Sequence, residues 1–156
     1  MQTYPPTIVL RHRKENLKKC SLRGLETRED FRFYTYPKSI LPPLDNYVVL
    51  VLDDAPVLSE ADASLGLFII DATWRYAEVM AKQIEPDLKT CLRRALPHHI
   101  RTAYPRRQYD CLNPERGLAS IEAIYVAYQR LGRNLSGLLD LYHWSSEFLE
   151  GLKKTV

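Results

Sequence analysis

Asp71, Thr73 and Trp74 are the residues of this chain whose types and spacing best suit chemistry. A carboxylate, a hydroxyl and an indole fall together directly after the apolar run Leu67-Phe68-Ile69-Ile70. That run does not alternate, which predicts a strand buried on both faces. From Trp74 the period changes. Trp74, Ala77, Met80, Ala81 and Ile84 recur at helical spacing, as one face of a helix would. Asp71 therefore stands where a strand hands over to a helix, and ligands of open α/β sheets collect at such carboxyl ends. A carboxylate there can move a proton or hold a positive charge, and an indole can cover a cation. Each residue also has a structural alternative. Asp71 and Thr73 are good helix N-caps, and Trp74 is a good core aromatic.

The remaining candidates are dispersed. Ser21 and Ser120 offer hydroxyls that suit either a ligand or a helix cap. Glu122 lies early in a helix, where a carboxylate is favourable in any case. His98-His99 is an adjacent pair whose rings point apart in an extended chain, so a solvent or phosphate contact is the reading rather than a metal. Asp53-Asp54 reads as a turn. Cys20, Cys91 and Cys111 lie far apart with no C-x-x-C pair, which argues against a disulfide framework and against a zinc site. No metal is expected. No G-x-G-x-x-G and no P-loop is present.

The elements that must position these residues read as follows. Short strands are expected at Thr7 to Leu10, Phe31 to Tyr36, Tyr47 to Leu52 and Lys89 to Leu96. Ser21 would open a short helix, and Ser59-Glu60-Ala61-Asp62 has the form of a capping box over one helical turn. Residues 97–114 form an extended loop with many arginines, a length uncommon without a task. A helix from Leu118 should stop at Gly132. Asn134 should cap a last helix whose apolar face carries Leu138, Leu141, Tyr142, Ser145, Phe148, Leu149 and Leu152. Strands alternating with helices give an α/β class with a largely parallel sheet.

At 156 residues the chain fits a single domain, 1–156, with 1–45 as a small strand-rich N-terminal α/β lobe and 46–156 as the ligand-binding part. No apolar run reaches membrane-spanning length and the opening residues lack a signal-peptide pattern, so no membrane partner and a cytoplasmic setting are expected. The net charge of +3 is mild, but its distribution is not. Arg11, Arg13, Lys14, Lys18, Lys19, Arg23, Arg28 and Arg32 crowd the first part, and Arg93, Arg94, Arg101, Arg106, Arg107 and Arg116 a later one. Leu44 to Ala72 between them carries six acidic residues and no Lys or Arg. Two basic stretches flanking an acidic middle suit a phosphate-tracking surface, and Tyr104 and Tyr109 within the second suit base stacking.

Four segments, in order, resemble the DTW-domain proteins and the related ribosome-maturation aminocarboxypropyltransferases. They are Leu10 to Ser21, with its basic opening and Lys-Lys-Cys-Ser close; Val49 to Asp54 with Val57-Leu58-Ser59; Asp71-Ala72-Thr73-Trp74; and Leu96-Pro97, Ala103-Tyr104-Pro105 and Gly117 to Ala123. The resemblance implies a SPOUT-like α/β domain with C-terminal helices and a trefoil knot in its C-terminal part. It implies transfer of the 3-amino-3-carboxypropyl group of S-adenosylmethionine to a uridine-type base in structured RNA, either rRNA or tRNA, by a monomer or homodimer. The alternatives are a SPOUT-type RNA methyltransferase and a non-catalytic RNA-binding module. On this resemblance Asp71 acts as general base or as an electrostatic anchor near the sulfonium, and Trp74 covers the methionine portion. Leu52, Leu96 and Leu118 wall the adenine, Ala103 also binds the cofactor, and Ser21 and Ser120 hydrogen-bond it. Arg11, Arg13, Lys18, Lys19, Arg101, Arg106 and Arg107 position RNA phosphates. The paired cysteines that open many DTW proteins have no counterpart here, and Tyr104 stands where the ribosomal group usually has Asn.

Overall fold

The strands run in step because their apolar residues repeat on both faces. The computed structural model describes residues 4–14, 22–37, 40–51, 55–72, 74–104 and 118–154. Among these residues five strands, β1 (Thr7–His12), β2 (Phe31–Tyr36), β3 (Tyr47–Leu50), β4 (Gly66–Asp71) and β5 (Leu92–Arg94), form one sheet. Its order is β2-β1-β4-β3-β5, and every pairing is parallel. Parallel strands need crossovers that cover both faces, which is why β1 and β4 carry apolar side chains in both directions.

Alternation along each strand sorts the core in two. Val9, Phe31, Val48, Leu67 and Ile69 face one side. There they meet α3 (Ser120–Leu131), α4 (Ser145–Lys154) and the segment around Leu22 and Leu25. Ile8, Leu10, Tyr47, Val49 and Phe68 face the other side and meet Met80 of α1 (Trp74–Gln83), with Ile84, Leu44 and Cys91. A four-residue α2 (Glu85–Leu88) follows α1, with Pro86 in its first turn where the missing N–H costs nothing. Phe68 is fully buried at the centre of β4, and a side chain of that size contributes about 2–3 kcal/mol by leaving water.

Several expectations are met and several are corrected. The capping box at Ser59 is present, with the Asp62 carboxylate accepting from the Ser59 N–H, over a 3-10 turn at Glu60–Asp62. α3 ends at Gly132, which takes φ 73°, a left-handed conformation that closes helices. β5 is shorter than Lys89 to Leu96, because Thr90 and Cys91 donate backwards to the carbonyls of Asp87 and Leu88 and close the turn after α2. Asn134 caps no helix. Its side chain accepts from the Ser136 N–H at 3.0 Å in a local turn, Gly137 then takes φ 81°, and α4 starts only at Ser145. Leu138 and Tyr142 reach the core from turns instead. β1 and β2 lie in the same sheet as the later strands, with β1 between β2 and β4. Ser21, read as the cap of a short helix, lies outside the described residues, as do residues 105–117; after it Leu22 to Gly24 form a turn and Leu25–Thr27 a single 3-10 turn. No helix among the described residues is long and apolar enough to cross a membrane.

Candidate functional site

The connection leaving β1 moves outward to β2, whereas the one leaving β4 moves the opposite way, past β3 to β5. The carboxyl ends of β1 and β4 therefore bracket the topological switch point, where open α/β sheets bind ligands. Two charged residues are in register there, Arg11 on β1 and Asp71 on β4. Parity places both on the α3 side, following Val9 and Ile69 of the same strands.

Asp71 is 5% exposed. Its Oδ2 accepts from Arg11 Nε at 3.2 Å and its Oδ1 from Ser120 Oγ at 3.0 Å. Arg11, also buried, lies with its guanidinium carbon 4.7 Å from the Phe33 ring centre and places Nη1 3.4 Å from Glu26. Burial works to raise the pKa of Glu26, but its own backbone N–H, that of Gly24 and then Arg11 outweigh this and hold it below the usual carboxylate range. The result is a guanidinium between two carboxylates, one deep and one near the surface. Both Asp71 oxygens are thereby fixed in direction. Such a carboxylate is suited to hold a positive charge in place.

Ser120 is the first residue of α3, so its hydroxyl reaches Asp71 instead of capping the helix. The cap position belongs to Ala119, which has no side-chain oxygen to offer. Its N–H is bound by Glu122 from inside the helix at 2.8 Å. Glu122 is fully buried and accepts three further hydrogen bonds: from Thr102 Oγ1 at 2.5 Å, the Ala103 N–H at 2.8 Å and Tyr142 Oη at 2.8 Å. One carboxylate thus joins the start of α3, the segment at 102–103 and the turn before α4. Leu96, Ala103 and Leu118 are all half-buried against the same α3-side core, together with Leu50.

The sequence-derived candidates separate in the fold. Asp71 and Ser120 touch each other, and Leu96, Ala103 and Leu118 share their side of the sheet. Arg11, read as a phosphate contact, is buried, and its guanidinium is engaged by Asp71, Glu26 and the Phe33 ring. Arg13 and Arg101 are exposed, and Arg101 donates to the His98 carbonyl at 2.6 Å. Trp74 opens α1, but its side chain lies outside the described residues, as do Ser21, Leu52, Lys18, Lys19, Arg106 and Arg107. His98 and His99 are exposed, and no group of three metal-ligating side chains occurs among the described residues. Sequence reasoning missed the hub role of Glu122. A carboxylate three residues past a helix start, where the cap residue is Ala, was the available signal. An open hollow lined by Ser59, Glu60, Ala61, Gln129 and Arg130 lies ten residues down α3, about 15 Å from Ser120 at 1.5 Å per residue, and has no part in this cluster.

The sequence matches no protein-family model and no curated protein. Its fold is similar to that of the SAM-dependent rRNA:acp-transferase Tsr3 from Vulcanisaeta distributa, with a TM-score of 0.71 and 24% identity, over 97% of this chain and 80% of that one. The all-parallel sheet with C-terminal helices is accordingly an architecture already represented among solved structures.

Proposed function

We propose that this chain transfers the 3-amino-3-carboxypropyl group of S-adenosylmethionine to a uridine-type base of structured RNA, rRNA in the first instance. The observation that carries the reading is the fold likeness over nearly the whole chain, combined with a fixed buried carboxylate at the switch point of the sheet. The residues present fit the cofactor's chemistry. S-adenosylmethionine joins a cationic sulfonium to an apolar adenine, and here a carboxylate lies on the same side of the sheet as half-buried Leu96, Ala103 and Leu118. When bound, that group supplies a γ-carbon made electrophilic by the sulfonium, with methylthioadenosine as the leaving product.

The chain's own residues supply position. Asp71 is a fixed negative charge, an anchor in preference to a mobile base, because Arg11 and Ser120 already occupy both of its oxygens. Glu122 sets the height of the 102–103 segment against α3. Trp74 contributes its ring to the methionine portion, and Ser21 and Leu52 complete the cofactor site. Arg13, Lys18, Lys19, Arg101, Arg106 and Arg107 hold RNA phosphates. A SPOUT-type knot in the C-terminal part belongs to the same reading.

The test is product analysis after incubation with S-adenosylmethionine and total RNA. Methylthioadenosine with aminocarboxypropylated RNA is the expected outcome. S-adenosylhomocysteine would make the chain a methyltransferase, and RNA binding without either product would make it a binding module. Asp71→Asn should reduce turnover at least ten-fold while RNA affinity stays within two-fold, an electrostatic contribution of about 1.4 kcal/mol or more.

A further inference from the structure

The other face of β1 ends in a residue the reaction does not use. Alternation places Ile8, Leu10 and then His12 toward α1. The His12 ring lies flat against Tyr76, with centres 4.0 Å apart and planes 10° from parallel. Tyr36 closes on it from β2 at 5.8 Å. The Lys14 N–H donates to His12 Nδ1 at 3.1 Å, which fixes the orientation of the imidazole. His12 is 9% exposed, whereas Tyr76, in the first turn of α1, is 39% exposed. A buried ring thus backs a ring that meets solvent. Exposed cations adjoin the pair in sequence: Arg13 and Lys14 follow His12 and Arg75 precedes Tyr76, and the Lys14 ammonium lies over the Tyr76 ring, 5.9 Å from its centre.

A single exposed tyrosine needs no explanation. This one differs in three respects. It is held by a stack, it has the Lys14 ammonium over it with two exposed arginines adjacent in sequence, and it borders the switch point. His12 directly follows Arg11, the register partner of Asp71, and Tyr76 lies five residues after Asp71. A flat aromatic with cations about it is the composition that binds unpaired bases and their phosphates.

We propose that the His12–Tyr76 stack is a platform for an unpaired nucleobase of the RNA, with Arg13, Lys14 and Arg75 engaging the adjoining phosphates. It rests on the reading of the chain as an RNA-modifying enzyme and adds where the single-stranded part of the substrate is held, at the same carboxyl edge of the sheet as Asp71 but on its opposite face. Base stacking on one aromatic is expected to change affinity by roughly ten-fold or more.

The test compares wild type, Tyr76→Phe and Tyr76→Ala for binding to a single-stranded oligouridylate and to an RNA duplex of equal length, by fluorescence anisotropy. Calorimetric titration with S-adenosylmethionine serves as the control for folding. Tyr76→Ala should weaken single-strand binding about ten-fold, leave duplex binding within two-fold and keep the cofactor affinity. Tyr76→Phe should bind like wild type. Unchanged single-strand binding in Tyr76→Ala, or an equal loss for the duplex, overturns the platform. The two proposals can fail separately. Transfer activity with Tyr76-independent RNA binding refutes the platform alone. Tyr76-dependent binding without methylthioadenosine refutes the transfer reaction and supports the platform.

Discussion

Asp71 and Arg11 are each more than nine-tenths buried, and their energetics follow from that depth. Removing one charge strands the other in a poorly solvating place. Asp71→Ala should cost about 3–5 kcal/mol in a urea titration, whereas the paired change Arg11→Met with Asp71→Leu should be more stable than either single change. A loss in the double variant equal to the sum of the two single losses would mean the pair contributes no coupling. His12 provides a second test. Burial beneath Tyr76, then the charges of Arg13 and Lys14, hold its pKa below the ordinary 6.5. The unfolded chain therefore takes up a proton before the folded chain does, and stability is full above pH 6.5 and declines as pH falls through the window beneath it. His12→Asn should flatten the dependence of Tm on pH between 6.5 and 5. A parallel decline in both proteins would assign the effect to other groups. At this scale Asp71 was legible, because its place after Leu67-Phe68-Ile69-Ile70 is local in sequence. Its partner was not, since Arg11 lies 60 positions away and had the look of an ordinary surface arginine.

Glu122 acts among elements. Its four donors come from the 102–103 segment, which gives two, the start of α3 and Tyr142, and all present hydrogen toward its oxygens. Glu122→Gln preserves shape but turns an amide N–H₂ toward donors, so about 2–4 kcal/mol should be lost in thermal or urea unfolding. Cofactor affinity should fall with it, because Ala103 is no longer tied to α3. A variant as stable as wild type would show that the segment is held elsewhere. The elements themselves were readable where a period is sustained, as in β2, β4 and α1. They were not readable around Asn134. An Asn two residues before a Ser has the same signature for a turn as for a helix cap, and the left-handed Gly137 decides between the two. β5 shrank for a related reason: the carbonyls at the end of α2 captured the N–H groups of Thr90 and Cys91.

The order β2-β1-β4-β3-β5 belongs to the whole molecule, and no local pattern encodes it. It follows from which buried faces can be covered together, a question the apolar runs leave open. The same holds for charge. The two basic stretches were visible in sequence, but only the fold separates Arg11, spent inside, from Arg13 and Arg101 outside. Replacing Arg13 and Arg101 by Ala should weaken RNA binding broadly across sequences. The slope of log affinity against log salt should shrink by about 0.7–0.9 for each phosphate no longer neutralised. Asp71→Asn should leave that slope unchanged, and an identical change in both variants would refute the assignment of these arginines to phosphates.

The placement of β1 also has a consequence for synthesis. As the chain leaves the ribosome, β2 is complete at Tyr36, but the strand that covers the second edge of β1 ends 35 residues later at Asp71. At ~5–20 residues per second this interval lasts roughly 2–7 s. During it the backbone groups along Thr7–His12 are paired on one edge only, beside an apolar stripe. Nascent-chain chaperones should engage that stripe. Synonymous codons that slow decoding between 37 and 66 should lower the yield of folded protein without altering one amino acid, and a yield indifferent to those codons would show that the half-built sheet is harmless.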